Sequence, residues 1–196
     1  MRKTKQETAA TRRRIIAAAR GEFRRHGIAG SGLTALMAAA GMTQGGFYKH
    51  FQSKAQLVAE STMAGVDELL EGLGALPPEE GPAGAFNATV NGYLSLAHRD
   101  GASGCPYGGL GSELAQGDEQ VRASAVAGFE RMIALLSRQI PPGEQASSRD
   151  QALLSMCAMM GALTVSRMAD GEALSAEVLA VVSRQLIGHV GQQATN

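Results

Sequence analysis

Apolar residues recur every three to four positions along most of the chain, and this spacing predicts helices. In residues 8–26, the apolar side chains of Ile16, Ala19 and Phe23 share one face of the predicted helix, whereas another face carries arginines. No stretch alternates apolar with polar residues and is also rich in β-branched side chains, so no β-sheet is predicted. The sequence therefore predicts an all-α fold.

Glycine, proline and capping residues divide this pattern into separate helices. Gly27 and Gly41 are expected to end the first two, since glycine commonly follows a helix C-terminus. Side chains that can accept a hydrogen bond from a first helical turn are those of Ser31, Thr43, Ser53, Asp118 and Ser175. The predicted helices span residues 8–26, 33–40, 44–51, 54–73, 83–99, 106–115, 118–140, 148–169 and 176–190.

Two short predicted helices, at residues 33–40 and 44–51, are separated by a glycine-led turn, which is typical of a helix-turn-helix motif. Phe47 and Phe51 are expected to face the core, because residues four apart lie on one face of a helix. Gly45 and Gly46 each weaken so short a helix by about 1 kcal/mol relative to alanine. Their presence favours a close approach of the helix backbone to a ligand.

The net charge of zero hides a strong separation of charge along the chain. Residues 1–54 hold eleven lysines and arginines against two acidic residues, a net charge of +9, and residues 55–196 carry −9. A basic module ahead of an acidic body favours a polyanionic partner, either nucleic acid or an anionic membrane surface. We therefore expect two domains, at residues 1–54 and 55–196.

Cysteine usage and hydropathy exclude several other classes of protein. Cys105 and Cys157 form no CxxC pair, so neither a disulfide scaffold nor a metal site is expected, and no cofactor is predicted. The longest mostly apolar run, residues 153–165, is too short to span a bilayer. Charged residues interrupt the apolar stretch that an export signal would need after the N-terminal arginines. We expect a cytoplasmic protein with no membrane partner.

Three local motifs stand in the helix-turn-helix segment. Its turn reads Ala-Gly-Met-Thr at residues 40–43, Phe-Tyr-Lys-His-Phe follows at 47–51, and Ser-Lys stands at 53–54. Together these motifs resemble the DNA-binding signature of the TetR/AcrR family of bacterial transcriptional regulators, over roughly residues 11–57. The resemblance implies a dimeric, ligand-responsive repressor that binds double-stranded operator DNA and is not an enzyme.

The side chains of this segment suit a helix that enters the DNA major groove. Gln44 suits a bidentate contact to adenine, and Tyr48 and Lys49 suit phosphate oxygens. The resemblance implies DNA contacts by Thr34, Thr43, Gln44, Tyr48, His50 and Lys54, although Gly32 and Ala35 depart from the family pattern. The full predicted DNA-binding set is Ser31, Thr34, Thr43, Gln44, Gly45, Tyr48, Lys49, His50 and Lys54.

The acidic body is expected to hold two copies of the chain together. A single two-turn helix reads too few bases to be selective, so a homodimer through the last two predicted helices is expected. The alternative is that the apolar stripes of those helices only complete the monomer core. The resemblance implies a pocket for a small-molecule effector, with a candidate lining of Met63, Phe86, Tyr93, Cys105, Tyr107, Phe129 and Met132.

Cys105 leaves alternatives open. It precedes a predicted helix N-terminus, where a helix dipole favours a thiolate, so it suits a sensor of oxidants or electrophiles, and an inert buried cysteine is the competing interpretation. A weaker hypothesis makes Cys105 the nucleophile of an enzyme with His98 as its base, but no orienting Asn or Asp pattern accompanies them. A sequence-blind architectural DNA binder is disfavoured by Gln44 and by the large body.

Overall fold

The computed structural model describes residues 5–80, 83–101, 104–141, 147–169 and 171–193. Every regular element in these ranges is helical, which confirms the predicted all-α fold. The elements are α1 (Lys5–Gly30), α2 (Leu33–Ala39), a 3₁₀ helix (Gln44–Lys49), α3 (Lys54–Gly74), α4 (Gly84–Tyr93), α5 (Leu96–Asp100), α6 (Tyr107–Ala115), α7 (Glu119–Gln139), α8 (Ser148–Met168) and α9 (Glu172–Gln193).

Two predicted helices near the middle and end of the chain have different bounds in the structure. The single helix predicted over residues 83–99 is interrupted after Tyr93, because Ser95 adopts an extended conformation and its hydroxyl accepts a hydrogen bond from the His98 amide to start α5. The prediction that Ser175 caps the last helix is wrong. That helix begins at Glu172, and the buried Ser175 hydroxyl donates to the Ser166 carbonyl instead.

The helix-turn-helix segment also departs from its prediction in detail. The second helix is a 3₁₀ helix of six residues rather than an α-helix over residues 44–51, as the low helix propensity of Gly45 and Gly46 favours. Gly32, not Ser31, occupies the N-cap of α2, and the Ser31 side chain is buried. The predicted capping function of Ser31 is therefore wrong.

The described chain forms two compact units. The N-terminal unit comprises residues up to Gly65 together with Gly109–Gly128, and the C-terminal unit comprises Val66–Gly108 together with the residues from Phe129 onward. The helices α3, α6 and α7 each contribute residues to both units. The predicted functional division at residue 54 stays a prediction.

The core of the N-terminal unit is built from α1, α2 and the 3₁₀ helix. Along α1 the buried side chains are Thr11, Ile15, Ala19 and Phe23, so the apolar stripe is set by Ile15 and not by the predicted Ile16. Leu36 and Met37 of α2, Phe47 of the 3₁₀ helix, and Phe51, Leu57 and Val58 complete this core. These side chains fix α2 and the 3₁₀ helix against α1.

The C-terminal unit has its own apolar core. Its most buried side chains include Phe86, Val90 and Tyr93 of α4, Ile133 and Leu136 of α7, Met159 and Leu163 of α8, and Leu179 of α9. The helices α8 and α9 pack against each other, and α9 also packs against α4. Among the described residues, no helix combines the length and apolar character needed to cross a lipid bilayer.

The N-terminus of α8 offers a test of local helix stability. Ser147 forms a capping box with Asp150, in which each side chain accepts a hydrogen bond from the other residue's backbone amide. We expect Ser147→Ala to lower the free energy of unfolding by about 1 kcal/mol, measured by urea titration. Ser112→Ala, at an exposed position within α6, is the control and is expected to cause no loss. Equal stability of wild type and Ser147→Ala would contradict the capping box.

Candidate nucleic-acid interface

The 3₁₀ helix Gln44–Lys49, called here the recognition segment, is attached to the core by aromatic side chains. Phe47 is fully buried, and its ring stacks on that of the buried Phe51 with 5.6 Å between ring centroids. Tyr48 packs edge-on against Phe47 at 5.2 Å, yet 69% of its surface is exposed. The two phenylalanines therefore hold one face of the segment inward while its polar face points to solvent.

Arg12 holds the C-terminal end of the recognition segment. Its guanidinium lies 4.1 Å from the centre of the Phe51 ring and donates hydrogen bonds to the His50 carbonyl and to the Glu60 carboxylate. Arg12 thus joins α1, the residues after the recognition segment, and α3. These contacts of Arg12 are not predicted from the sequence, because its partners at positions 50 and 60 are distant along the chain.

Gln44 is oriented by a neighbour on α2. The Thr34 hydroxyl donates a hydrogen bond of 2.7 Å to Gln44 Oε1, and both side chains are exposed. With its oxygen held in this way, the carboxamide presents its two N–H donors outward. Acceptors in the major groove that fit such donors are the purine N7, guanine O6 and thymine O4 atoms.

Gly45 and Gly46 of the recognition segment have open space around their Cα atoms and do not form a tight turn. A Cβ atom built on Gly45 would meet no protein atom within 4 Å, and one on Gly46 would touch only methionine side-chain ends at ordinary contact distances. A positive φ would favour glycine over residues with a side chain, but neither Gly45 nor Gly46 has one. The fold itself therefore does not need glycine at position 45.

The structure separates the nine predicted DNA-binding residues into two groups. Six are exposed: Thr34, Thr43, Gln44, Gly45, Tyr48 and Lys49. Ser31 is 1% exposed and its hydroxyl donates to the Gly27 carbonyl, so it does not reach the surface. Lys54 is half-buried with Nζ donating to the Ile28 carbonyl at 2.5 Å, and His50 is half-buried.

Helix α1 supplies further positive charge to this unit. Arg13, Arg14 and Arg24 are exposed. Arg25 forms an ion pair with Glu22 and holds the pKa of that carboxyl below its usual value. Arg12 and Arg25 are engaged by carboxylates and Lys54 by a carbonyl, whereas Arg13, Arg14 and Lys49 are exposed cations of the described chain that suit a polyanion.

The predicted effector-binding residues are divided between the two units. Met63 falls in the N-terminal unit, whereas Phe86, Tyr93, Cys105, Tyr107, Phe129 and Met132 fall in the C-terminal unit. Within that unit the Tyr107 and Phe129 rings meet edge-on at 6.2 Å. A surface groove of about 430 Å³ in the same unit is lined by Asn91 of α4, Leu94 directly after it, Leu179 of α9 and others, and by none of the predicted seven.

Cys105 lies in a buried cluster that also holds two residues missed as effector candidates, His98 and Arg167. The Tyr93 and His98 rings are 4.7 Å apart, and the Cys105 amide donates to His98 Nε2 at 3.2 Å. Burial, followed by the positive charge of Arg167, lowers the pKa of His98 to about 4. His98 is therefore neutral near pH 7, and its Nε2 already accepts a backbone hydrogen bond, which makes it a poor base for the thiol.

Burial dominates the chemistry of the thiol itself. It raises the pKa of Cys105, although the Tyr93 hydroxyl and the amides of Gly108 and Tyr107 oppose this effect. The pKa of the Tyr93 hydroxyl is also raised, by burial and by the neighbouring Cys105. The described residues bring together no group of three or more His, Cys, Asp or Glu side chains that would suit a metal ion.

Comparison with known proteins places the N-terminal unit in a defined family. The family model of bacterial regulatory proteins of the tetR family matches residues 15–61. The HTH-type transcriptional regulator TtgR of Pseudomonas putida is 43% identical over 58 residues, which are 30% of this chain and 28% of that protein. The match therefore spans less than a third of the length of this curated relative. The family model at residues 15–61 covers the recognition segment.

Solved structures match over almost the whole chain. A TetR transcriptional regulator from Chloroflexus aurantiacus has a TM-score of 0.79 at 23% identity, covering 96% of this chain and 98% of that one. The reduced form of NemR from E. coli has a TM-score of 0.72 at 23% identity, covering 89% and 96%. These likenesses show a common fold of both units. Residues 15–61 therefore match the tetR family of bacterial regulatory proteins, and the chain has the fold of solved TetR regulators.

Proposed function

We propose that this protein is a sequence-specific, DNA-binding transcriptional repressor that reads the major groove with its recognition segment. The observation that carries the proposal is a segment whose Phe47 is buried against the buried Phe51 that follows it, while Gln44, Gly45, Tyr48 and Lys49 face solvent. A short helix presented in this way can enter the groove without disturbing its own core. The match of this segment to the TetR family supports the same function.

The exposed side chains suit distinct parts of a DNA duplex. The outward N–H groups of Gln44 suit acceptors on base edges, and the absence of a side chain at Gly45 allows the backbone to approach the groove closely. The Tyr48 hydroxyl and the Lys49 ammonium suit phosphate oxygens, which fix position without reading sequence. Exposed arginines of α1 add attraction toward the duplex that depends on salt.

A homodimer supplies the second recognition segment that selectivity needs. Exposed residues along α8, namely Leu154, Cys157, Gly161, Val165 and Met168, follow one another at helical spacing and form one face, the α8 stripe. Large apolar residues on a surface favour an interface with another chain. We propose that α8 and α9 pair with those of a second copy, which brings two recognition segments to half-sites about 34–36 Å apart.

A small-molecule effector bound in the C-terminal unit would release the protein from DNA. Support comes from buried oxygen atoms of Asn87 and Thr89 on α4, which have no hydrogen-bond partner among the described residues. A polar ligand can satisfy such atoms, whereas an apolar core leaves them at a cost of about 1–3 kcal/mol each. A coupling free energy of about 1–3 kcal/mol suffices to change DNA affinity 5- to 150-fold.

Sensing of oxidants by Cys105 is the less well supported version of this regulation. The amides of Gly108 and Tyr107 favour a thiolate at this position, but burial of the thiol raises its pKa and restricts access. Reactive cysteines need both a thiolate and an accessible sulfur. A reversible small ligand therefore fits the observed environment better than covalent chemistry at Cys105.

Selection from a pool of random duplexes tests the proposed function directly. We expect the protein to enrich a pseudo-palindromic sequence, because a two-fold symmetric dimer binds two related half-sites. Sequencing of the bound duplexes gives this sequence, called here the operator. Recovery of the starting pool without enrichment would refute sequence-specific binding.

Substitutions within the recognition segment separate base reading from phosphate contact. We expect Gln44→Ala to relax the preference at one position of each half-site by about 1–3 kcal/mol, because it removes the donors to a base edge. Lys49→Ala is expected to weaken binding to all duplexes alike and to reduce the salt dependence. Titration of operator variants at two salt concentrations measures both effects. The reverse pattern would overturn the assignment.

Gly45 allows a test in which stability and binding change in opposite directions. We expect Gly45→Ala to raise the free energy of unfolding by about 0.5–1 kcal/mol, since alanine has the higher helix propensity and the site is open. The same methyl group is expected to lower operator affinity by crowding the groove. Gly72→Ala in α3, another open helical glycine, is the control that should leave affinity unchanged. Unchanged operator affinity in Gly45→Ala would exclude a close backbone approach.

The α8 stripe gives a test of the dimer. We expect Val165→Asp to shift the protein from dimer to monomer, because a carboxylate buried in an apolar interface lacks a partner. Val126→Asp introduces the same charge at an exposed apolar position of α7 and is the matched control. Sedimentation equilibrium measures the mass of each variant. A dimeric Val165→Asp protein, or a wild type that is monomeric, would contradict pairing through α8.

A further inference from the structure

We infer that Glu113 of α6 is a positioning residue for DNA reading. It binds the backbone of residues 27–30, where α1 leads into α2, and these four residues are called here the corner. This inference rests on the proposed function, and it assigns a specific residue outside the helix-turn-helix to that function. Glu113 and the corner both belong to the N-terminal unit, although 85 positions separate Glu113 from Ile28.

Both oxygens of the Glu113 carboxylate accept hydrogen bonds from the corner. The Ile28 amide donates to Oε2 at 3.0 Å, and the Ala29 amide donates to Oε1 at 2.8 Å. Hydrogen bonds to a charged acceptor are stronger than bonds between neutral groups, and a two-point contact also fixes orientation. Glu113 therefore restricts both the position and the direction of the corner backbone.

The corner is shaped to receive this carboxylate. Gly27 interrupts α1 with φ 74° and ψ 169°, a conformation that glycine adopts readily. A Cβ atom at this position would lie 2.9 Å from Glu113 Oε2, closer than real Cβ atoms approach. The glycine thus serves both the local turn and the close approach of α6.

Further hydrogen bonds connect the corner to the reading surface. Ser31 Oγ donates to the Gly27 carbonyl at 2.6 Å, and Lys54 Nζ donates to the Ile28 carbonyl. Helix α2 begins shortly after the corner, and its Thr34 hydroxyl bonds to Gln44. A shift of the corner is therefore transmitted to α2 and to the side chain proposed to read bases.

Charge alone predicts the opposite effect for this residue. A carboxylate in a module that binds phosphate repels the ligand, so its removal should strengthen DNA binding. Positioning predicts that its removal weakens binding to the operator while leaving attraction to random duplexes intact. Two neutral substitutions in the same unit, Glu113→Gln and Glu119→Gln, distinguish the charge effect from the positioning effect. Glu119 is the control because it is exposed at the start of α7.

The experiment measures affinity of each full-length variant for the operator and for a random duplex. We expect Glu113→Gln to lose about tenfold in operator affinity, whereas Glu119→Gln loses none, and neither weakens binding to random DNA. Glu113→Asp keeps the charge but shortens the side chain, so it is also expected to lose operator affinity. Retained random-duplex binding and a wild-type circular dichroism spectrum show that the variants are folded. Operator affinity of Glu113→Gln equal to that of Glu119→Gln would overturn the inference.

Amide hydrogen exchange tests the contact without DNA. We expect the Ile28 and Ala29 amides to exchange faster in Glu113→Gln than in wild type or Glu119→Gln, measured residue by residue by nuclear magnetic resonance. Unchanged exchange at both amides would also overturn the inference. If the wild type selects no sequence, the proposed function fails and the positioning role fails with it. If the wild type selects an operator that Glu113→Gln binds equally well, only the positioning role fails.

Discussion

The burial of Phe47 and Phe51 beneath Arg12 is the constraint on which the surface proposed to bind DNA depends. A six-residue 3₁₀ helix with two adjacent glycines has little stability of its own. Stacking of the two rings, and the guanidinium that lies over Phe51 and bonds to the His50 carbonyl, hold it in one orientation. The polar face of the segment is therefore set by tertiary contacts rather than by helix propensity.

The positive charge of the N-terminal unit divides into cations that build the fold and cations that face solvent. Arg12 bridges three parts of the unit, and Lys54 supports the corner through the Ile28 carbonyl. Arg13, Arg14 and Lys49 remain exposed. A count of charges along the sequence does not distinguish these groups, because the distinction depends on which carboxylates and carbonyls the fold brings near each cation.

Local patterns were sufficient to predict the helices and the inward direction of Phe47 and Phe51, since these depend on neighbours within one or two turns. The face of α1 that is buried was predicted less accurately, because Ile15 rather than Ile16 is buried. The burial of Ser31 was missed because its hydroxyl had a backbone carbonyl four positions earlier as an alternative partner. Contacts such as those of Glu113 with Ile28 join residues far apart in sequence, and no local pattern contains them. The same limit applies to the cluster around Cys105, because Arg167 comes to it from a helix far along the chain.

The separation between buried anchors and exposed reading residues has a consequence for how this surface can change over evolutionary time. The side chains of Gln44 and Lys49 are exposed and outside the core, so substitutions there are expected to change the free energy of unfolding little. Such positions can drift, or be redesigned as a set, and give the protein a new binding site on the chromosome while the same scaffold is kept. The exposed residues of the recognition segment can therefore be exchanged while the aromatic and arginine contacts beneath them stay the same.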